Sequence, residues 1–358
     1  MWHADFGIDF GKKCGVKIEK RKIGELNRQE VELYRLMNDA GSYVELTNYG
    51  ATLVSVVIPD LNGLLGNVVL GFSGLDGYLK DDCYMGATIG RFANRISNAR
   101  FRIGNEVFRL DENDGTHSNH GGFSGFNTQV FEAEVLSDEI RFNLNSPDGQ
   151  GGFPGALNLS VYYRWSDRQE LTIRFQGIST RETILNLTNH AYFNLSAMAR
   201  SGLQQKLTME ASRIIECTND FIPTGRIVPA GELAFSGQRI AEKMNLDSAG
   251  FKGINSYYVF EEKGVGQPAC LLEDEKSGRQ MKVYTSYPGI QFYTGDFLES
   301  RVPGSHGVKY QPYDGVCIEC QLYPDSPNHP NFPSTLLKVG SEYNEEISYH
   351  FDLKSNHE

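Results

Sequence analysis

The sequence predicts an all-β protein that folds as a large antiparallel β-sandwich. Apolar and polar residues alternate along most of the 358 residues, and this period of two is typical of strands. The chain also contains 38 glycines, which favour tight turns, and 18 tyrosines, which favour strands. Segments with helical spacing are few, so we expect helices to contribute little to the fold.

Five segments show the alternation clearly, and each predicts a strand or a hairpin. In chain order they are 54–58, which ends before Pro59; 101–108, with a turn at Gly104-Asn105; 157–165; 171–175; and 347–351. In segment 157–165, for example, Leu157, Val161 and Trp165 fall on one apolar face. Two further segments, 75–80 and 238–246, carry the spacing of a short helix.

The chain shows no sign of division into several domains. It contains no linker rich in proline, glycine and serine, and no internal repeat of fixed period. We therefore expect one domain from residue 23 to residue 358. Residues 1–22 are predicted to be an N-terminal extension, in which basic residues such as Lys12 and Lys13 form a solvated surface.

The composition argues against several classes of protein. A net charge of −11 is unlike that of a nucleic-acid-binding protein, which normally has a basic face. No run of 18 apolar residues predicts a membrane span, and the N-terminus lacks the apolar core of a signal peptide. Six cysteines are too few to indicate a disulfide framework in a chain of this length. We expect a cytoplasmic monomer with no nucleic-acid or membrane partner.

The segment from Gly315 to Ser334 carries the strongest chemical signal. Glu319 lies inside a short apolar run, and a loop rich in proline, asparagine and aspartate follows directly. This arrangement places a carboxylate on a rigid strand beside a loop that can shape a pocket. Burial there would raise the pKa of the carboxyl group. The alternative for this segment alone is a surface glutamate on an edge strand.

Several other kinds of site do not fit the motifs. The chain has no phosphate-binding loop, and Phe126 replaces the second glycine that a GxSxG nucleophile elbow requires. Cys317 and Cys320 would face opposite sides of a strand, which argues against a zinc site. His117 and His120 are separated by two residues, but no carboxylate spacing supports a metal set with His190. We expect neither a metal nor a cofactor.

Histidines, a strand carboxylate, amides and aromatic residues together suit a sugar substrate. Sugar hydroxyl groups need several hydrogen-bonding partners, and sugar faces need apolar or aromatic surface. Proton transfer on a sugar requires one group that gives a proton and one that takes it. Histidine can give a proton near neutral pH because its reference pKa is about 6.5.

Six segments, in this order along the chain, resemble the aldose 1-epimerase (galactose mutarotase) family. They are GATIGRFANRI at 86–96, NHGGFSGF at 119–126, SPDGQGGFPG at 146–155, TNHAYFNL at 188–195, PGIQFYTG at 288–295 and IECQLYPDSPNHPNFPS at 318–334. The resemblance runs from about Ile23 to near the C-terminus. It implies the large β-supersandwich of that family, and an enzyme that interconverts the α- and β-anomers of free hexoses such as glucose and galactose.

The resemblance also assigns roles to individual residues. Glu319 matches the general base, His190 the general acid and His120 the second histidine of the family's active site. The sugar-contacting positions are matched by Asn94, Arg95 and Gln291, and by Asn255, which replaces the family's usual aspartate. We expect Glu319 to keep the imidazole of His190 charged at neutral pH. His117 has no counterpart.

Two alternatives to this enzyme remain open at the level of sequence. The first is a sugar-binding or regulatory homologue that keeps the pocket but has no turnover, because Asn255 lacks the usual negative charge. The second is an epimerase of a phosphorylated hexose. That enzyme would need a cluster of basic residues around the phosphate, whereas the motifs supply chiefly Arg91 and Arg95.

Overall fold

The computed structural model describes residues 8–13, 15–244, 253–261 and 266–354, with the backbone alone for 8–13. These residues form 29 strands. In chain order the strands are β1 (Ile8–Lys13), β2 (Val16–Leu26), β3 (Gln29–Met37), β4 (Tyr43–Thr47), β5 (Thr52–Pro59), β6 (Leu65–Asn67), β7 (Thr88–Ile89), β8 (Arg95–Ile96), β9 (Arg100–Ile103), β10 (Glu106–Arg109), β11 (Ser118–Asn119), β12 (Glu132–Val135), β13 (Glu139–Ser146), β14 (Leu157–Trp165), β15 (Glu170–Ser179), β16 (Thr183–Ile184), β17 (Thr188–Asn189), β18 (Tyr192–Phe193), β19 (Lys206–Met209), β20 (Arg213–Cys217), β21 (Pro223–Pro229), β22 (Ser236–Arg239), β23 (Asn255–Val259), β24 (Cys270–Glu273), β25 (Arg279–Thr285), β26 (Gly289–Tyr293), β27 (Val316–Cys320), β28 (Leu336–Leu337) and β29 (Tyr343–Leu353).

Helices are short and few in the described part of the chain. The α-helix is α1 (Leu75–Leu79), as the sequence predicts. The 3-10 helices are Ser97–Ala99, Phe126–Thr128, Gln150–Gly152, Gly202–Gln204, Gly231–Leu233, Ile240–Lys243 and Ser326–Asn328. No helix among the described residues is long and apolar enough to cross a membrane.

Three large sheets, in which every strand pair is antiparallel, account for most of the strands. The N-terminal sheet has six strands in the order β1-β2-β3-β4-β5-β6. The central sheet has nine, in the order β12-β13-β14-β15-β29-β25-β24-β19-β22. The third sheet, which carries the site described below, has six in the order β18-β27-β26-β23-β20-β21. The prediction of an all-β antiparallel fold is therefore confirmed.

One hydrophobic core joins the inner faces of these sheets. It contains Leu46 from the N-terminal sheet, Val161 and Ile173 from the central sheet, and Phe292 and Ile318 from the third sheet, all of them buried. Along β14, each residue of the predicted apolar face is buried, because successive side chains of a strand point to opposite sides. Burial of a side chain of this size stabilises the fold by about 1.5–3 kcal/mol.

Most of the predicted elements are confirmed, and two details differ. The hairpin of β9 and β10 has the predicted turn, with Ile103 paired to Glu106. The predicted helix at 238–246 is wrong for its first part, because Ser236–Arg239 is a strand that pairs with β19. A 3-10 helix follows at Ile240–Lys243, and residues 245 and 246 lie outside the described residues.

The domain boundary at residue 23 stays a prediction, although it falls within a strand. β2 runs from Val16 to Leu26 and pairs with β3 along its length. The side chains of Val16 and Ile18 are buried in the main core. Residues 16–22 therefore belong to the same sheet as the residues that follow them.

Candidate active site

The floor of the candidate site is the face of the third sheet that points away from the core. In β27, Val316, Ile318 and Cys320 face the core, so Cys317 and Glu319 face the other side. Glu319 pairs with Gln291 of β26, and Tyr293 of β26 pairs with Asn255 of β23. Glu319, Gln291, Tyr293 and Asn255 line a cavity of about 300 Å³.

The loops above the sheet bring in the histidines. The backbone N–H of His190 donates to the carbonyl of Ala87 at 2.9 Å, and its carbonyl accepts from Gly86 at 3.0 Å. Asn94 and His120 both lie in the left-handed region, with φ of 66° and 53°. The N–H of Asn94 donates to Nδ1 of His120 at 3.1 Å, and the N–H of His120 donates to the carbonyl of Asn94 at 3.2 Å. These reciprocal bonds fix His120 and Asn94 relative to each other.

Glu319 and His190 form a buried acid–base pair. Oε1 of Glu319 lies 3.7 Å from Nε2 of His190, and both side chains are about 95% buried or more, with exposures of 3% and 5%. The other carboxylate oxygen, Oε2 of Glu319, is buried and has no hydrogen-bond partner. The ring of His120 completes the group, with its centroid 5.3 Å from that of His190. A proton can be both given and taken at this point of the cavity.

Burial determines the protonation of the pair. It raises the pKa of Glu319 to about 8, with a smaller opposing effect of Arg95, and it lowers the pKa of His190 to about 4. An ion pair at 3.7 Å would move both pKa values in the other direction. Burial of both partners outweighs that attraction, and the effect of Arg95 on Glu319 is too small to reverse it. The expectation of a charged His190 at neutral pH is therefore wrong for the unliganded protein.

Between these two pKa values the pair carries one proton. The proton can be on Glu319, with His190 neutral, or on His190, with Glu319 ionised. These two states of the pair hold the same number of protons. Moving the proton between the two residues therefore requires no exchange with solvent. Burial, with additional electrostatic effects of His190 and Arg95, also holds the pKa of His120 well below its usual value.

The wall of the cavity presents amides and a guanidinium group. Nε2 of Gln291 donates to Oδ1 of Asn255 at 2.6 Å. Arg95 donates from Nε to Oδ2 of Asp114 at 2.6 Å, and its guanidinium carbon lies 5.2 Å from the ring centroid of Phe221. The carboxylate and the ring hold the guanidinium group in place at the edge of the cavity.

Comparison with known proteins identifies the family of this chain. The sequence profile described as Aldose 1-epimerase matches residues 32–350. The chain is 36% identical to the galactose mutarotase of Mus musculus over 342 residues, which cover 94% of this chain and 99% of that one. The chain belongs to the aldose 1-epimerase family. A second relative, the aldose 1-epimerase of Escherichia coli K12, is 33% identical over 334 residues, which cover 90% of this chain and 96% of that one.

Solved structures of aldose 1-epimerase relatives have the same fold. The GalM/aldose epimerase homologue of C. elegans has a TM-score of 0.84 at 30% identity, covering 88% of this chain and 97% of that one. The galactose 1-epimerase of Lactobacillus acidophilus has a TM-score of 0.83 at 26% identity, covering 95% and 100%. The expected galactose mutarotase-like β-supersandwich is therefore confirmed.

The structure brings together all of the site residues that the sequence predicts for an aldose 1-epimerase. The cavity is lined by Asn94, Arg95, His120, His190, Asn255, Gln291 and Glu319. His117 lies outside it: Nδ1 of its ring accepts from the backbone N–H of Asn98 at 3.1 Å, and the ring borders an adjoining cavity.

Several lining residues were not singled out from the sequence. Tyr84, with φ of 57°, places its ring 4.7 Å from the centroid of His120, and nothing in the loop sequence indicates this. Tyr192 and Tyr293 also line the cavity. Tyr293 follows Gln291 by two positions on β26, so strand alternation could have identified it. His190 precedes β18, so alternation gave no such signal for Tyr192.

His120, His190 and Glu319 also form a potential metal-binding set, but their hydrogen bonds fit it poorly. Their ligand atoms lie within 4.8 Å of one another. The N–H of Asn94 donates to Nδ1 of His120, so the proton of the neutral ring is on Nε2. A metal needs a lone pair at the nitrogen that binds it. His120 is therefore built to donate a hydrogen bond into the cavity.

Proposed function

We infer that this protein is an aldose 1-epimerase, an isomerase that interconverts the α- and β-anomers of free hexoses such as glucose and galactose. The observation that carries this inference is the Glu319–His190 pair, buried at 3.7 Å in a cavity of about 300 Å³. That volume is at the lower end of the range for ligand cavities, which suits a ligand as small as a single sugar ring. Family membership along residues 32–350 supports the same reaction.

The proposed reaction consists of ring opening and ring closure, and each of these steps transfers two protons. Glu319 takes the proton of the C1 hydroxyl group. The electrons of that O–H bond form the C1=O double bond of the aldehyde. The C1–O5 bond breaks, and its electrons accept the proton that Nε2 of His190 gives to O5. Both oxygens are bonded to C1, so the base and the acid must lie close together, as these two do. Rotation about C1–C2 and the reverse transfers close the other anomer.

Ionised Glu319 with charged His190 is the reactive form of the pair. Burial disfavours this form, but a bound sugar would supply hydrogen bonds to both charges. The form that burial favours, protonated Glu319 with neutral His190, carries the same number of protons as the reactive form. Substrate binding can therefore convert one form into the other without proton uptake. Each positioned acid or base contributes about 10²–10⁴-fold to such a reaction.

The remaining residues are proposed to bind and orient the sugar. His120 donates a hydrogen bond from Nε2–H to a substrate oxygen near the reacting carbon. Asn94 and Arg95 contact hydroxyl groups from the loop that leads into β8, and Asn255 and Gln291 contact them from the third sheet. The position of each residue on the cavity wall supports this division.

The cellular setting is also a proposal. We propose that residues 23–358 act as one domain and that the protein works in carbohydrate metabolism in the cytoplasm, as a monomer without a nucleic-acid or membrane partner. The net charge of −11 supports the absence of a nucleic-acid partner. Five cysteines of the described residues are free thiols, which fits a reducing compartment.

Polarimetry tests the proposed function. Freshly dissolved α-D-galactose and α-D-glucose should approach their equilibrium rotation faster with the protein than in buffer alone. Calorimetry with the same sugars gives the matching binding measurement. Binding of hexose without any acceleration would contradict the enzyme and support the non-catalytic sugar-binding homologue.

A further inference from the structure

Cys317 contacts the acid of the pair from the side opposite Glu319. It precedes Glu319 by two residues on β27, so both side chains leave the same face of the sheet. Tyr192 of β18 pairs with Cys317 and brings the preceding loop beside it. Sγ of Cys317 lies 3.5 Å from Nδ1 of His190, and the thiol is fully buried. The imidazole is thus held between a carboxylate at Nε2 and a sulfur at Nδ1.

An acceptor at Nδ1 favours proton transfer from Nε2 of His190, because it stabilises and orients the ring that remains. A charged imidazole carries a proton on both nitrogens, and loss of the Nε2 proton leaves the tautomer with Nδ1–H. The hydrogen bond at one ring nitrogen determines which tautomer forms at the other. The sulfur of Cys317 lies at hydrogen-bond distance from Nδ1, and the backbone carbonyl of His190 also accepts from the ring.

We propose that Cys317 is a positioning residue whose sulfur accepts the Nδ1–H of His190, directs Nε2 toward Glu319 and the substrate, and leaves the charged imidazole a strong acid. The inference rests on the proposed function. It assigns a role to a cysteine whose C-x-x-C spacing does not serve a metal, since Cys320 faces the core.

The chemistry of the thiol explains the choice of residue. A carboxylate at Nδ1 would stabilise the charged imidazole and weaken it as an acid. Burial and the neighbouring Glu319 raise the pKa of Cys317 well above its usual value, so the sulfur stays uncharged. An uncharged thiol is a weak acceptor, which orients the ring with little stabilisation of its charge. The other groups that face His190 are Glu319, His120, Tyr84, Tyr192 and Tyr293.

The test uses three variants of the whole protein. Cys317→Val removes the acceptor and fills its place with slightly larger methyl groups, whereas Cys317→Ser keeps an acceptor that is stronger than sulfur. Cys320→Val is the matched control, because Cys320 is equally buried on the same strand but faces the core. For each variant we would measure kcat and KM for α-D-galactose, the pH profile, thermal unfolding and the ring tautomer of His190 by ¹⁵N NMR.

We expect Cys317→Val to lower kcat about tenfold with little change in KM, because a misdirected acid loses part of its effective concentration. The neutral ring should then shift from the Nδ1–H to the Nε2–H tautomer. Cys317→Ser should retain kcat within about threefold and move the acid limb of the pH profile upward, since a stronger acceptor stabilises the charged imidazole. Cys320→Val should leave the tautomer and the pH profile unchanged.

Two results would overturn the proposal. One is a folded Cys317→Val protein with the kcat and the His190 tautomer of the native protein, which would mean that the sulfur only fills space. The other, decisive if Cys317→Val does not fold, is an unshifted acid limb in Cys317→Ser. The NMR measurement needs no turnover. A native protein without mutarotase activity would therefore contradict the proposed function, while the tautomer would still decide the hydrogen bond of Cys317.

Discussion

The site is built half from strands and half from loops, and the two halves achieve precision in different ways. Glu319, Gln291 and Asn255 project from three neighbouring strands whose register is fixed residue by residue. Asn94 and His120 stand on loops and adopt left-handed backbone conformations. The strand half inherits its geometry from the core beneath it, because every second residue of β27 is packed there. The loop half relies on hydrogen bonds between its own backbone groups.

The difference matters for the chemistry, because each half supplies one residue of the reactive pair. The proposed base lies in the strand half, where a one-residue shift would turn it toward the core. The loop half supplies His190 and His120 above that floor, each held by at least two backbone hydrogen bonds. The reactive pair therefore spans the boundary between the halves, and variants on either side should affect it differently.

The largest effect is expected in the strand half, from Glu319→Gln. The amide keeps the shape but cannot take a proton, so kcat/KM should fall by about 10²–10⁴-fold in the polarimetric assay. Glu342→Gln is the control, because it makes the same chemical change at an exposed position near β29. An unchanged rate for Glu319→Gln would show that another group is the base.

An intermediate effect is expected in the loop half, from Gly121→Ala. Gly121 follows His120 with φ of +89°, and a Cβ there would lie 2.0 Å from the carbonyl oxygen of Gly90. The strain should cost about 1–3 kcal/mol of unfolding free energy and displace His120. Urea unfolding and kcat/KM measure the two consequences.

Gly104→Ala is the matched control for this substitution. Gly104 also has a positive φ, +56°, but an added Cβ there meets no atom within 4 Å. Its cost should be limited to about 1–2 kcal/mol of backbone strain, with unchanged kcat/KM. Equal effects of the two substitutions on activity would mean that the loop half does not position His120.

The division between the strand half and the loop half also explains which features could be predicted from the sequence. Alternation placed β14 correctly, and the apolar run followed by a turn-rich loop placed β27. The period of two within a strand then showed that Cys317 and Cys320 face opposite sides, because it is a local property. The motifs placed seven site residues on one cavity. Tyr84 was missed, since its position follows from a left-handed loop residue with no periodic signal.

The protonation states of Glu319 and His190 could not be predicted from the sequence either. The resemblance to the aldose 1-epimerase family implies that Glu319 and His190 are neighbours, which favours an ion pair. The degree of burial of both groups depends on the packed tertiary structure, and it reverses the expected charge of His190. A local pattern contains no measure of that burial.

The smallest effect is expected from Asn255→Asp, at the wall of the strand half. The carboxylate would still accept from Nε2 of Gln291, and it would offer the sugar a charged acceptor in place of the amide N–H₂. Hydrogen bonds to a charged partner exceed neutral ones by about 1 kcal/mol, so kcat/KM for galactose should rise about fivefold. A ranking of several aldoses would show whether the native asparagine instead favours another sugar. If neither the rate nor the ranking changes, Asn255 does not contact the substrate.

The central claim, that catalysis uses one proton shared by Glu319 and His190, is tested most directly by the pH dependence of kcat/KM. Below a pH of about 4 both groups are protonated and no base remains, and above about 8 both are deprotonated and no acid remains. After subtraction of the uncatalysed rate, the profile for α-D-galactose should be bell-shaped, with its limbs near these two values. A rate that continues to climb up to pH 9 would contradict the shared proton.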